Sequence, residues 1–433
     1  MSDREAEVLV QIAGEDVLAG RLWAHRRQNV ESATFAYATE YLARRGSYPL
    51  DPALPLVSGQ LQTPANRGIF GAFSDCSPDR WGKILIRRRY GRDEADDNTG
   101  ERSFGEVDFL LGVRDDLRQG ALRFRDPDSG EFLADEEEGV PHLIDLPVLL
   151  AYAGRAERDV ANQEELDILL KGGSSLGGAR PKAHVINRNG RVAIAKFPKS
   201  EGDDWDVTAW EAVALSLARE AGIHVASSEL EEIAGRSVHI VDRFDRQGGL
   251  RVGYASAMTL LEATDGESRS YLDLVEVIEE DSDRATADLH ELWRRIAFSI
   301  LVSNTDDHLR NHGFLRATTG GWSLSPAFDI NPNPEPGTKF LSTSIDGRSN
   351  AASIELLLSV AEFFRLDDEE AQAVLAEVGE ATGRWQEAAH RLGLDRASIN
   401  GMRPAFEHES AELVRGQQAR GRSGAVTDVR PAL

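Results

Sequence analysis

The sequence predicts an α+β fold, with an N-terminal α/β region followed by a largely α-helical C-terminal domain. Three observations predict it. Residues 7–23 alternate as two strands, 7–12 and 17–23, around an Ala13-Gly14-Glu15-Asp16 turn. Two more strands, 182–186 and 191–197, flank Asn187-Arg188-Asn189-Gly190, whose Asn-Gly ending is a strong hairpin signal. After Tyr271 the apolar spacing is mostly helical, notably over 285–302 and 351–392.

In order along the chain, a Pro-rich stretch at 49–55 follows the first strands. A helix is expected over 78–89, with Ser77 as its cap and Pro78 at its first position. Residues 92–102 are charged and read as loop. The apolar pieces 109–113 and 121–124 close the first domain, and 126–141 reads as a solvated connector. Helices at 146–158 and 162–171 then lead into a glycine-rich run, 172–178. A helix at 207–221 is stopped by Gly222. The expected domains are 1–140, an N-terminal α/β domain; 141–262, a nucleotide-binding lobe; 263–414, a helical catalytic domain; and 415–433, a mobile tail.

Composition narrows the function. With 433 residues the chain exceeds what one core organises. A formal charge of −24 argues against a freestanding nucleic-acid binder, since phosphate affinity needs clustered Lys and Arg. A local strip such as Arg87-Arg88-Arg89 stays compatible with DNA contact. The single cysteine, Cys76, excludes an internal disulfide and a cysteine metal cluster. The acidic N-terminus does not read as a signal peptide, and the apolar run near 296–302 is too short to span a membrane. A cytoplasmic protein with no membrane partner is therefore expected.

The chemistry lies past residue 300. Asp306 is followed five positions on by Asn311, and Asp329 stands on a short apolar segment. That spacing is the layout of kinase-like phosphotransferases. Asp306 would take the proton of an attacking hydroxyl, while Asn311 and Asp329 would hold Mg2+ as oxygen ligands. Arg310 would stabilise charge on the transferred group, and His308 lies among the nucleotide-contacting candidates. Upstream stand the other parts a kinase needs, in order. The 172–178 run would bring backbone amides to an anion, with Ser175, Gly177, Gly178 and Ala179 as candidates. Lys196, ending the strand, would reach the ATP phosphates with help from Lys182. Glu211 on the next helix would hold that lysine. The segment 252–258, with Tyr254 and Ser256, would face adenine. Arg243, Asp245 and Arg246 read equally well as a structural ion-pair cluster.

With those residues in view, the sequence resembles the HipA-type Ser/Thr kinase toxins of bacterial type II toxin–antitoxin systems. The motifs at 77–82, 110–116, 174–182, 195–199, 243–246, 304–311 and 326–330 carry the resemblance. It implies a divergent protein-kinase-like, HipA-like fold that uses ATP and Mg2+. It also implies autophosphorylation of Ser175, a protein substrate such as an aminoacyl-tRNA synthetase, and a HipB-like helix-turn-helix antitoxin. Operator DNA would be met mainly through that antitoxin. Asn304-Thr305-Asp306 replaces the His-Arg-Asp triplet of ordinary kinases, and Arg180 stands where some members carry glutamine. Two other readings are a degenerate kinase fold acting as a co-repressor that binds the antitoxin, and a small-molecule phosphotransferase.

Overall fold

The structure is a computed structural model that describes residues 4–27, 30–65, 67–91, 104–134, 140–173, 178, 180–317 and 320–416. The chain divides into two compact units, one of 1–202, 227–265 and 313–325, the other of 203–226, 266–312 and 326–433. It mixes helix and strand, as the α+β reading requires.

The first unit opens on a five-stranded antiparallel sheet in the order Leu61–Gln62, Val30–Tyr37, Glu15–Arg27, Arg4–Ile12, Leu122–Arg125. The first two strands are those expected from alternation, but longer. Their link is two residues, Ala13 and Gly14, both at positive φ, as a tight hairpin turn needs. Val30–Tyr37 was not anticipated. It lies so close to its neighbour that a Cβ on Gly20 would fall 2.2 Å from the Ala36 carbonyl, which requires glycine there.

The helix Arg80–Gly91 starts later than the sequence suggested, and its cap is Asp79, not Ser77. Asp79 Oδ1 accepts from the Gly82 amide at 2.7 Å. The Ser77 hydroxyl instead donates to the Phe73 carbonyl at the end of the preceding helix, Gly71–Asp75. The basic strip on the Arg80–Gly91 helix is spent internally: Arg88 pairs with Asp159, Arg89 with Asp167, and Arg87 stacks on Phe109. The apolar piece near 109 is helical, Glu106–Leu111.

A second antiparallel sheet has the order Lys182–Ile186, Val192–Lys196, Arg236–Asp242, Ser228–Ile233. Helices Leu146–Glu157 and Gln163–Lys171 bury Leu149, Leu150, Leu166 and Leu169 against Val185, Ala193, Phe197 and Ile240. Trp81 and Leu85 of the earlier helix complete this core. A small sheet of Gly253–Ser256, Gly313–Arg316 and Ser323–Leu324 closes the unit.

The second unit is helical. Val207–Glu220 begins at Asp206, which accepts from the Ala209 amide. It ends in a Schellman motif: Ile223 N–H donates to Ala218 O, Gly222 N–H to Arg219 O, with Gly222 at φ +78°. Ala285–Leu301 is buried almost all round from Leu292 onward, which identifies it as the central helix. Trp385 stacks on Phe406 at 4.8 Å, and Trp210 packs against both rings. The stretch expected to be mostly helical over 351–392 holds several helices, among them Ile354–Leu358, Asp368–Gly383 and Trp385–Arg391. Arg365 in the left-handed region breaks it, and Asp367 caps the next start. Among the described residues, no helix is long and apolar enough to cross a membrane.

Candidate functional site

In the first unit, antiparallel register sets Lys196 directly opposite Lys182 on one side and His239 on the other. Residues directly opposite share a sheet face, so three basic groups stand in a row. The Lys182 ammonium is neutralised by Asp79 at 2.6 Å, with both side chains buried. Gly178, at φ +104°, lies so near that an added Cβ would be 3.5 Å from Lys182 Nζ. The end of the glycine run therefore sits over a buried ion pair. Ser175, Gly177 and Ala179 lie outside the described residues.

Ser256 caps the short helix Ala257–Leu260. Its backbone N–H and hydroxyl both donate to the Asp75 carboxylate at 2.7 Å. Tyr254 lines a small cavity with Tyr48, Asp75, Cys76, Gln119 and Trp322, and the Gly120 backbone packs on its Cβ. The segment expected to face adenine is thus a strand hydrogen-bonded to Gly313–Arg316. The Arg243 motif is architecture. Arg243 and Asp245 pair at 2.6 Å with almost no exposure, Arg243 also donates to Leu117 O, and Asp245 accepts from the Gly120 amide.

In the second unit, the central helix Ala285–Leu301 runs into Ser303, which is held at φ +54°. Asn304 to His308 then form an irregular loop, followed by one tight turn, Leu309–Asn311. The Asn311 side-chain N–H donates to the Asp306 carbonyl at 3.0 Å, which turns its amide oxygen the other way. Adjacent carboxylates diverge here. Asp306 is exposed, whereas Asp307 is buried and accepts from the Tyr271 hydroxyl at 2.7 Å and the Ser299 hydroxyl at 3.3 Å. His312 Nε2 lies 3.2 Å from the other Asp307 oxygen. Of the two aspartates, only Asp306 is placed to meet a substrate.

Asp329 sits at φ +58°, a sparsely populated conformation for a residue other than glycine. Asn331 orients it: the Asn331 side-chain N–H donates to the Asp329 carboxylate at 3.2 Å, and the Asn331 backbone N–H donates to Asn304 Oδ1 at 3.1 Å. Asn333 repeats the device, donating to Thr305 Oγ1 and to the Ser303 carbonyl. Ser342 and Thr343 donate to the Thr305 and Asp307 carbonyls. The Asp306 loop and the segment after Asp329 are therefore knitted together by short polar side chains.

Electrostatics separates the carboxylates. Although Asp306 reaches solvent, partial desolvation of its carboxyl raises its pKa above the ordinary carboxylate value, His308 opposes this, and the nearby Asp329 and Asp307 charges raise it further. Burial also pushes Asp307 up, but His312 and the Tyr271 and Ser299 hydrogen bonds overcome this and leave it lowered. Two carboxylates close enough to repel, with an amide oxygen beside them, suit a hard cation that keeps several waters. Among the described residues no three His, Cys, Asp or Glu side chains converge as a metal cage. Asn311 and Asp329 are the residues that could hold such an ion. Glu211 is buried within Val207–Glu220, Arg310 is exposed on the tight turn, and His308 is half-buried beside Asp306.

Sequence reasoning missed Asp79, Tyr271, Asp307, His312 and Asn331 as parts of the site. The doubled aspartate at 306–307 and the Asn two places after Asp329 were the available signals.

The model of the HipA N-terminal domain matches residues 10–110, and that of the HipA-like C-terminal domain matches 174–385. A Sinorhizobium fredii protein provisionally named a kinase, Y4mE, is 24% identical over 328 residues, covering 68% of this chain and 71% of its own. A Haemophilus influenzae protein, also provisionally named a kinase, is 25% identical over 191 residues, 38% of this chain and 54% of that one. Among solved structures, a chain of the Shewanella oneidensis MR-1 toxin–antitoxin complex of HipA, HipB and operator DNA superposes with a TM-score of 0.63. It is 16% identical and covers 98% of this chain and 100% of its own, a likeness of fold.

Proposed function

The chain belongs to the HipA family, and on that premise we propose that it is an ATP- and Mg2+-dependent serine/threonine protein kinase, the growth-arresting toxin of a type II toxin–antitoxin pair. The coarse reading, a HipA-type kinase, rests on the family models and on relatives named as kinases. The observation that carries the finer one is the pairing of exposed Asp306 with an Asn311 tied to its backbone and an Asp329 held near it.

In this reading Asp306 accepts the proton of an attacking hydroxyl, and Arg310 stabilises charge on the phosphoryl group in flight. Lys196, kept in place by Glu211, holds the ATP phosphates. Gly177, Gly178 and Ala179 offer backbone amides to the same phosphates, and Lys182, paired with Asp79, assists Lys196 there. Tyr254, Ser256 and His308 complete the nucleotide surroundings. Mg2+, when bound by Asn311 and Asp329, neutralises the phosphate oxygens. Ser175 is the autophosphorylation site, where added charge would drive the glycine run away from the nucleotide.

The protein substrate belongs to the translation apparatus, an aminoacyl-tRNA synthetase being the type. The solved relative stands in a complex with HipB and operator DNA, which supports a HipB-like antitoxin as partner here. That Arg88 and Arg89 are consumed by Asp159 and Asp167 supports DNA contact through the antitoxin rather than through this acidic chain. A cytoplasmic location fits these partners.

The deciding experiment incubates the purified protein with labelled ATP and Mg2+, beside Asp306→Ala, and reads phosphate on Ser175 by mass spectrometry. Label in the wild type alone is expected. No label in either, with no thermal shift on adding ATP, would leave the antitoxin-binding co-repressor as the better account.

A further inference from the structure

The catalytic loop is closed on itself by a buried polar cluster that its chemistry does not use. Asp307 and His312, 3.2 Å apart, bracket the six residues 307–312, and Asp306 and Asn311 each immediately precede one member of the pair. Tyr271, from the helix Tyr271–Asp281, donates to Asp307 at 2.7 Å, and its ring meets the His312 ring edge-on at 5.7 Å. Thr343 fixes the Asp307 carbonyl at 2.7 Å. Tyr271, Asp307, His312 and Thr343 are all buried.

We propose that Asp307, His312 and Tyr271 are positioning residues for phosphoryl transfer, setting where Asp306 presents its carboxylate and Asn311 its amide oxygen. The proposal rests on the kinase reading above. As a stability device the cluster is a poor choice, because well-packed apolar side chains of similar volume stabilise as well as a buried polar cluster. What they lack is direction. The Tyr271 and Ser299 hydroxyls donate to one Asp307 oxygen and His312 Nε2 stands 3.2 Å from the other, so the carboxylate is held from both sides, and with it the backbone on either side. The loop between Asn304 and His308 is neither helix nor strand, so its course depends on side-chain hydrogen bonds. A catalytic group displaced by about 1 Å loses about 100-fold in rate.

The test compares the full-length wild type with Tyr271→Phe, His312→Leu and His312→Gln. Gln can place an amide N–H where Nε2 stands; Leu cannot. Four quantities are read: kcat, KM for ATP, thermal midpoint, and the affinity for Mn2+ with a non-hydrolysable ATP analogue by electron paramagnetic resonance. His312→Leu should lower kcat about 100-fold and weaken Mn2+ about tenfold, with KM for ATP unchanged. Tyr271→Phe should do the same more mildly, and His312→Gln should restore most of both. Unchanged kcat and Mn2+ affinity in His312→Leu would overturn the proposal. So would losses that track the thermal midpoint and that Gln does not restore. A wild type that transfers no phosphate sinks the kinase reading alone, and the ranking of Mn2+ affinities then decides the positioning claim by itself.

Discussion

The Lys182 ammonium meets the Asp79 carboxylate at 2.6 Å, with the two side chains only 5% and 4% exposed. The pair joins the start of the helix Arg80–Gly91 to the first strand of the second sheet, and Trp81 Nε1 reinforces it by donating to the Lys182 carbonyl. Burial raises the Asp79 pKa and the Lys182 charge opposes that rise. Removing one partner leaves the other charge buried and uncompensated. Asp79→Ala should therefore cost about 3–5 kcal/mol in urea unfolding. Asp79→Leu combined with Lys182→Met should recover most of that loss. An Asp79→Ala protein as stable as wild type would refute the pairing.

Asn331 holds Asp329 from one side and Asn304 from the other. Groups that orient a metal ligand usually matter about 10- to 100-fold to metal affinity or activity. Asn331→Ala should raise the Mg2+ concentration for half-maximal ATP turnover by about tenfold and leave the thermal midpoint within a few degrees. A Mg2+ titration identical to wild type would show that Asp329 needs no such support.

These two relationships mark how far the sequence could be read. Asp306, Asn311 and Asp329 could be singled out because their spacing along the chain is the motif, and the fold does bring them near one another. Strands 7–12 and 182–186 were legible from alternation and the turns that follow them. Val30–Tyr37 was not, because its first residues read as Val-Glu-Ser-Ala, and its place beside Gly20 is set by tertiary packing. Lys182 illustrates the general failure. On the sequence it is a basic residue past a glycine run, the natural partner of a phosphate. Its ion pair is with Asp79, a hundred and three residues away, and no local pattern encodes that. The helix 207–220 lies between strands in sequence yet belongs with the helical unit, because Trp210 packs on Trp385 and Phe406.

Asp306 carries a testable sign. Partial desolvation first, then the Asp329 and Asp307 charges, lift its pKa above 3.8. Asp329→Asn removes one of those charges and should bring the Asp306 midpoint down in a carboxyl carbon NMR titration. Mg2+ added alone should do likewise by neutralising Asp329. As pH rises past 3.8 the unfolded chain loses this proton first, so ionisation of Asp306 subtracts from stability at neutral pH. Asp306→Asn should be inactive and more stable than wild type at pH 7. A less stable variant would contradict the raised pKa.

His184 sets an acid limit on the sheet beneath the glycine run. It is 1% exposed, and its Nδ1 lies 2.9 Å from the Gly172 carbonyl, so the neutral ring donates there. A Cβ on Gly173 would fall 2.6 Å from that nitrogen, so the ring cannot easily be moved. Burial pushes its pKa down to about 3, and the Arg243 guanidinium adds to the effect. The unfolded chain takes up this proton near pH 6.5, whereas the folded chain resists it until about 3. Between those values the unfolded state binds one proton more, and stability falls with pH by up to about 1.4 kcal/mol per unit. Well above pH 6.5 neither state binds the proton and the slope vanishes. His184→Gln keeps an amide near Gly172 and cannot titrate. Between pH 7 and pH 5 the wild type should lose about 2 kcal/mol more unfolding free energy than this variant. Carboxylates act equally in both proteins, so the difference isolates the imidazole, and parallel pH profiles would place His184 in a solvated site instead.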